Sequence, residues 1–138
     1  MEIFNICAAY ENEYLAEHGA TLYPGLIETL EKLSAEHPLF IVSNCGDGYI
    51  QTFMKAHGVE KLISDFECIG RTGKPKSENI KLIVERNDLK NPVYVGDTQW
   101  DCDAATAAGV PCIFAAYGFG NVPDKPAIQS FPELLTLV

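Results

Sequence analysis

Basic residues are few in this chain, with 10 Lys and Arg against 19 Asp and Glu, for a formal net charge of -9. A surface of that balance repels polyanions and excludes nucleic acid as a natural partner. It leaves room for a small phosphorylated metabolite, because one local cationic pocket overcomes a diffuse negative field. No apolar run approaches the roughly 20 residues that a membrane span needs, so no membrane partner is expected. The opening MEIFNICAAYENEY has no basic n-region and carries acids early, which excludes a secretory signal peptide and points to the cytoplasm. No C-x-x-C occurs. Cys7, Cys45, Cys68, Cys102 and Cys112 are odd in number and sit among apolar or small residues, so reduced buried thiols are expected rather than disulfides or zinc. His18, His37 and His57 are isolated, each near the end of an expected helix, and read as helix-terminal residues rather than a metal set.

What is present suits one folded domain. The 138 residues are 47% hydrophobic and 21% charged, ordinary globular usage, which argues against disorder as the main state. No repeat or low-complexity segment interrupts an alternation of helix-like and strand-like stretches. Residues 1–18 read as a helix ended by Gly19. Tyr23-Pro24-Gly25 opens a second helix with Leu26, Ile27, Leu30 and Leu33 on one face. LFIV at 39–42 is a short buried strand, followed by a helix near 47–57 that carries Ile50, Phe53 and Met54 inward and stops at Gly58. DFECI at 65–69 is a second strand, and after RTGKPK the residue Ser77 is expected to cap a helix bearing Ile80, Ile83 and Val84. VYVG at 93–96 is a third strand leading into the small-residue helix DCDAATAAG. CIFAA at 112–116 is a fourth, and PELLTLV closes as a short helix or an extended tail. This order predicts an α/β fold, a parallel sheet with helices on both faces.

Three polar features fall just past the carboxyl ends of three of these strands, the edge at which open parallel sheets bind ligands. Ser43-Asn44 follows LFIV and precedes a helix, where a hydroxyl and successive N–H groups can hold a phosphate; such a pair also serves as an ordinary turn or cap. Gly73-Lys74-Pro75 follows DFECI, and Lys74 can neutralise a transferring phosphoryl group or be a surface lysine in a turn. Gly96-Asp97-Thr98-Gln99-Trp100-Asp101 follows VYVG and places Asp97 and Asp101 one helical turn apart, facing one point. Two hard carboxylates at the mouth of a buried strand suit Mg²⁺, though both also complement a helix dipole. Asp103 falls off that face and is expected to be solvated.

In this order, the YPG helix, IVSN, GKPK, VGDTQWDCDAATAAGV and FAAYGFG resemble the haloacid dehalogenase (HAD) superfamily, phosphoglycolate-phosphatase-like branch, over nearly all of residues 22–138. The resemblance implies a Rossmann-like core at 22–138 and, at 1–21, the end of a helical cap with its linker. It implies that Ser43, with Asn44, binds phosphate, and that Lys74 is the lysine of the third family motif. Asp97 and Asp101 are then the acids holding Mg²⁺ directly or through water, in a phosphomonoester hydrolase.

The family's first motif, D-x-D-x-T, is absent. The only D-x-D is Asp101-Cys102-Asp103, inside the fourth motif. With it would go the aspartate nucleophile, the general acid–base, part of the Mg²⁺ site and the central first strand, which is missing or replaced. Asp47, Cys45 and a strand formed by IFNICAAY are weak surrogates. The expectation is a truncated or split phosphatase core, inactive alone and completed by a complementary N-terminal fragment. The alternative is a pseudoenzyme that binds phosphate or another anion, its central gap closed by its own N-terminus or in a homo-oligomer.

Overall fold

The computed structural model describes the backbone of residues 2–138 and the side chains of residues 9–138. Among the described residues there are six α-helices and five strands, in the anticipated order apart from α4 and β5, which were not expected: α1 (Glu2–His18), α2 (Leu26–Glu36), β1 (Leu39–Ser43), α3 (Tyr49–His57), β2 (Ile63–Cys68), α4 (Ile69–Thr72), α5 (Lys76–Arg86), β3 (Tyr94–Gly96), α6 (Gln99–Ala107), β4 (Cys112–Ala115) and β5 (Ala127–Ile128). Short 3-10 turns occupy Glu60–Leu62 and Phe131–Thr136. Gly19 and Gly58 take positive φ, 67° and 66°, where α1 and α3 stop, as a left-handed residue after a helix must.

Every strand pair is parallel, but the strands form two ladders, β1–β2 and β3–β4–β5. No ladder joins β1 to β3 among the described residues. The link between them is a side chain: the Tyr94 hydroxyl donates to the Val42 carbonyl at 3.1 Å. This is the architecture expected of a Rossmann-like sheet whose central strand is missing. The segment 3–10, considered above as a substitute strand, is helical instead and belongs to α1.

Alternation along the strands supplies both faces. Cys112 and Phe114 pack with Ile80 of α5 and with Cys102 and Ala105 of α6. Ile113 and Val95 point to the opposite face, against Leu33 of α2, Ile128 and Leu134. A third cluster of Ile50, Met54, Val59 and Cys68 seats α3 on β1 and β2. Helices therefore cover both faces, as near-continuous apolar strands require.

Two local expectations are corrected. The N-cap of α5 is Pro75, not Ser77, and no side chain caps it. Proline holds an extended backbone (φ -65°, ψ 161°) that starts the helix two residues early. Cys102 and Cys112 are not reduced thiols but a disulfide, with Cα atoms 5.3 Å apart. Helix α6 packs directly on β4, so residues ten positions apart meet, a juxtaposition that composition and spacing do not reveal. Cys45 and Cys68 are free, and Cys7 lies outside the described side chains.

Candidate functional site

The loops leaving β1, β2 and β3 meet at one edge. Ser43 ends β1 half-buried and in register with Cys68 at the end of β2. Asn44 follows, exposed. The two exits then run together: Gly70 N–H donates to the Cys45 carbonyl at 3.0 Å, and a Cβ on Gly70 would lie 2.3 Å from the Asp47 nitrogen. Only glycine permits that approach. An open groove of about 750 Å³ lies between α1 and this loop, lined by Tyr10, Tyr14, Asn44, Cys45 and Tyr49 among others.

The loop carrying Lys74 is pinned from below by a residue that motif reading overlooked. Asn79, fully buried in α5, donates to the Lys74 carbonyl at 3.0 Å and accepts from the Thr72 hydroxyl at 2.7 Å. Thr72 in turn accepts from the Lys74 N–H at 3.1 Å. A buried amide with both ends satisfied fixes a loop well. The signal for it was a polar residue on the apolar face of the α5 pattern. The Lys74 side chain itself is 53% exposed, its ammonium 4.0 Å from Glu78. Lys76 turns inward instead: its side chain is 16% exposed and its ammonium donates to Asp101 Oδ1 at 2.5 Å.

Asp101 is buried and fully engaged. Its Oδ2 accepts the N–H groups of Asp97 and Thr98 at 3.1 and 3.2 Å, while Thr98 Oγ1 accepts the Asp101 N–H in a reciprocal capping box. Burial pushes the Asp101 carboxyl up, but the Lys76 ammonium and the hydrogen bonds from Thr98 and Asp97 outweigh it and hold it below the usual carboxylate range. Gly96 allows the packing, since a Cβ there would meet the Asp101 Cβ at 2.4 Å.

Asp97 is half-buried and cradled by the loop after β4. Phe119 N–H donates to its Oδ2 at 3.1 Å and Gly120 N–H to its carbonyl at 2.8 Å. A Cβ on Gly118 or Gly120 would lie 2.3 or 2.4 Å from Asp97 atoms, so the glycines of YGFG exist for this contact. Tyr117 of that loop meets Tyr23 of the YPG turn edge-to-face at 4.8 Å. Among the described residues no hydrogen bond reaches Asp97 Oδ1. Trp100 and Phe119, 82% and 93% exposed, stand beside the acids.

The structure thus brings Asp97 and Asp101 together and sets Ser43 at the end of β1, while the Lys74 side chain is half-exposed beside Glu78. Asp103 is exposed and accepts from Gln99 at 2.8 Å. Asp47 is exposed and accepts from Gln51 at 3.3 Å. Burial pushes the Cys45 thiol up, which leaves it a poor nucleophile. Among the described residues no group of three or more His, Cys, Asp or Glu is placed to hold a metal.

A parallel α/β sheet with its polar loops gathered at the carboxyl edge defines the class, a Rossmann-like α/β core. The chain belongs to the haloacid dehalogenase-like hydrolases, whose family model matches residues 2–115. It is 31% identical over 134 residues to the phosphoglycolate phosphatase of Escherichia coli (strain K12), covering 88% of this chain and 52% of that protein. The chain spans about half the length of that curated relative. Among solved structures it resembles CbbY from Rhodobacter sphaeroides in complex with phosphate, with TM-score 0.83 and 19% identity over 96% of this chain and 64% of that one. It also resembles the HAD-hydrolase YfnB from Bacillus subtilis bound to magnesium, with TM-score 0.77 and 21% identity over 91% of this chain and 58% of that one.

Proposed function

We propose that residues 22–138 form the phosphate-handling core of a Mg²⁺-dependent phosphomonoesterase acting on a small phosphorylated metabolite in the cytoplasm, and that residues 1–21 belong to its cap. What supports this reading is that Ser43, the GKPK loop and Asp97 each lie at or beyond the carboxyl end of a parallel strand in a chain of this family. Ser43, with the N–H groups that follow it, orients phosphate oxygens. Lys74 reaches the same edge by a change of side-chain rotamer away from Glu78.

Hard oxygen donors fit Mg²⁺ in kind. Asp97 offers an Oδ1 free among the described residues, and Asp101 offers Oδ1 once Lys76 lets go, so the pair fits as two ligands of a fuller set. A cation held there would neutralise charge on the phosphoryl group.

The 138 residues contain no D-x-D-x-T, so this chain by itself is expected to be catalytically silent. With Mg²⁺, it should hydrolyse p-nitrophenyl phosphate no faster than a Lys74→Ala control while still binding inorganic phosphate, and Ser43→Ala should weaken that binding. Turnover well above the control would reveal a nucleophile elsewhere in the chain. Absence of phosphate binding would remove the reading.

The ion pair between Lys76 and Asp101 favours a second reading, an anion-binding pseudoenzyme that has no use for the metal. In that case phosphate binding is indifferent to Mg²⁺. Where a complementary fragment or second copy fills the gap between β1 and β3, light scattering shows a species heavier than the monomer.

A further inference from the structure

Of the two lysines in GKPK, the one the structure places against the acid pair is Lys76, which no motif assigned. It is the first residue of α5, where the helix dipole disfavours a cation. Its side chain is also largely withdrawn from water, which is unfavourable for an ammonium unless an anion compensates. Lys74, two residues earlier, remains half exposed near Glu78 at 4.0 Å. The inward course of Lys76 therefore has one local explanation, the carboxylate of Asp101 at 2.5 Å. That contact joins the exit of β2 to the exit of β3 across 25 positions of sequence.

The division of labour on Asp101 matters. Its Oδ2 is committed to the backbone of the Asp97–Thr98 turn and cannot leave without opening the capping box. Among the described residues its Oδ1 carries the lysine alone. This oxygen is the one that a cation bridging Asp97 and Asp101 would need.

We propose that Lys76 is an internal counter-cation that competes with a divalent ion for Asp101 Oδ1, so that metal enters the Asp97–Asp101 pair only as the ammonium leaves. This rests on the reading of the two acids as a cation site. Because an apparent dissociation constant is the intrinsic one divided by the competent fraction, a pair open about a tenth of the time weakens metal binding about tenfold. Substrate phosphate helps the exchange, since it offers the released ammonium another anion.

Direct titration of the full chain with Mn²⁺, by calorimetry or by the resonance of the free ion, tests this without any need for turnover. Lys76→Met should bind roughly tenfold more tightly than wild type, and Lys81→Met, exposed on α5, should match wild type. Binding by wild type that equals or exceeds that of Lys76→Met overturns the proposal and leaves the acid pair standing. No binding by either overturns both. Should Lys76→Met fail to fold, acetic anhydride labelling of wild type decides: Lys76 is protected relative to Lys74 without metal and exposed by Mg²⁺. A Lys76 labelling rate indifferent to saturating Mg²⁺ overturns the proposal.

Discussion

Tyr94 on β3 and Val42 on β1 are 52 positions apart in sequence and joined by one hydrogen bond, phenol to carbonyl at 3.1 Å. The phenol spans the space between two ladders that share no backbone pairing among the described residues. Burial pushes its acidity down, and the carboxylates of Asp101 and Asp97 reinforce the effect, so it stays a neutral donor. Tyr94→Phe keeps the ring and strips the donor from the Val42 carbonyl. Urea denaturation should show a loss of roughly 1–3 kcal/mol, the usual consequence of a buried acceptor left alone. An unchanged midpoint would mean that the carbonyl finds water.

Gly118 provides a steric test of the cradle around Asp97. Its added Cβ would meet the Asp97 Cβ at 2.3 Å, whereas a Cβ on Gly46 meets nothing within 4 Å. Gly118→Ala should destabilise by roughly 1–3 kcal/mol as the loop is pushed off the acid, while Gly46→Ala stays close to neutral. Equal midpoints for the two variants would contradict the contact.

Acid sensitivity should trace to the edge of β2. Burial raises the Asp65 carboxyl, but Arg86, Asn87 and the Phe66 N–H outweigh it and hold it below its ordinary range. Arg86 contacts both Asp65 oxygens at 2.8 and 2.9 Å and Glu67 at 3.1 Å. A depressed folded value means that the unfolded chain binds the proton first. The contribution is therefore whole above the unfolded value of about 3.9 and drains away as pH falls through the lower folded value. Arg86→Ala should flatten the fall in stability as pH drops below about 4; a pH profile parallel to wild type would assign the acid sensitivity to other carboxylates.

The Cys102–Cys112 bridge is checked by digestion without reductant, which should yield the two cysteine peptides as one cross-linked species. Reduction should lower stability by roughly 2–3 kcal/mol for so short a loop. Separate, alkylatable peptides from freshly prepared protein would show the thiols free.

Much of the fold was legible because its signals are local. A short, β-rich apolar run marked β4, and glycines marked the ends of α1 and α3. The β5 pair, Ala127–Ile128, was not legible: two residues carry no period, and they pair only because Phe114 and Ala115 lie alongside. The start of α5 was misread because serine is the better cap in isolation, whereas the chain direction set by Pro75 decided the matter. At the site, strand-end acids and the serine were readable from position. Lys76, Asn79 and the N–H of Phe119 were not, since each acts through a partner distant in sequence. Between two lysines of one tetrapeptide, the carboxylate of Asp101, distant in sequence, determines which turns inward.

The backbone contact of Gly70 with Gly46 and Asp47 has a mechanical consequence. Two loops that touch without side chains between them have no soft material to absorb a displacement. A displacement of the turn after Ser43 would therefore pass to α4, the helix that leads into the Lys74 turn, as a shift of rigid backbone.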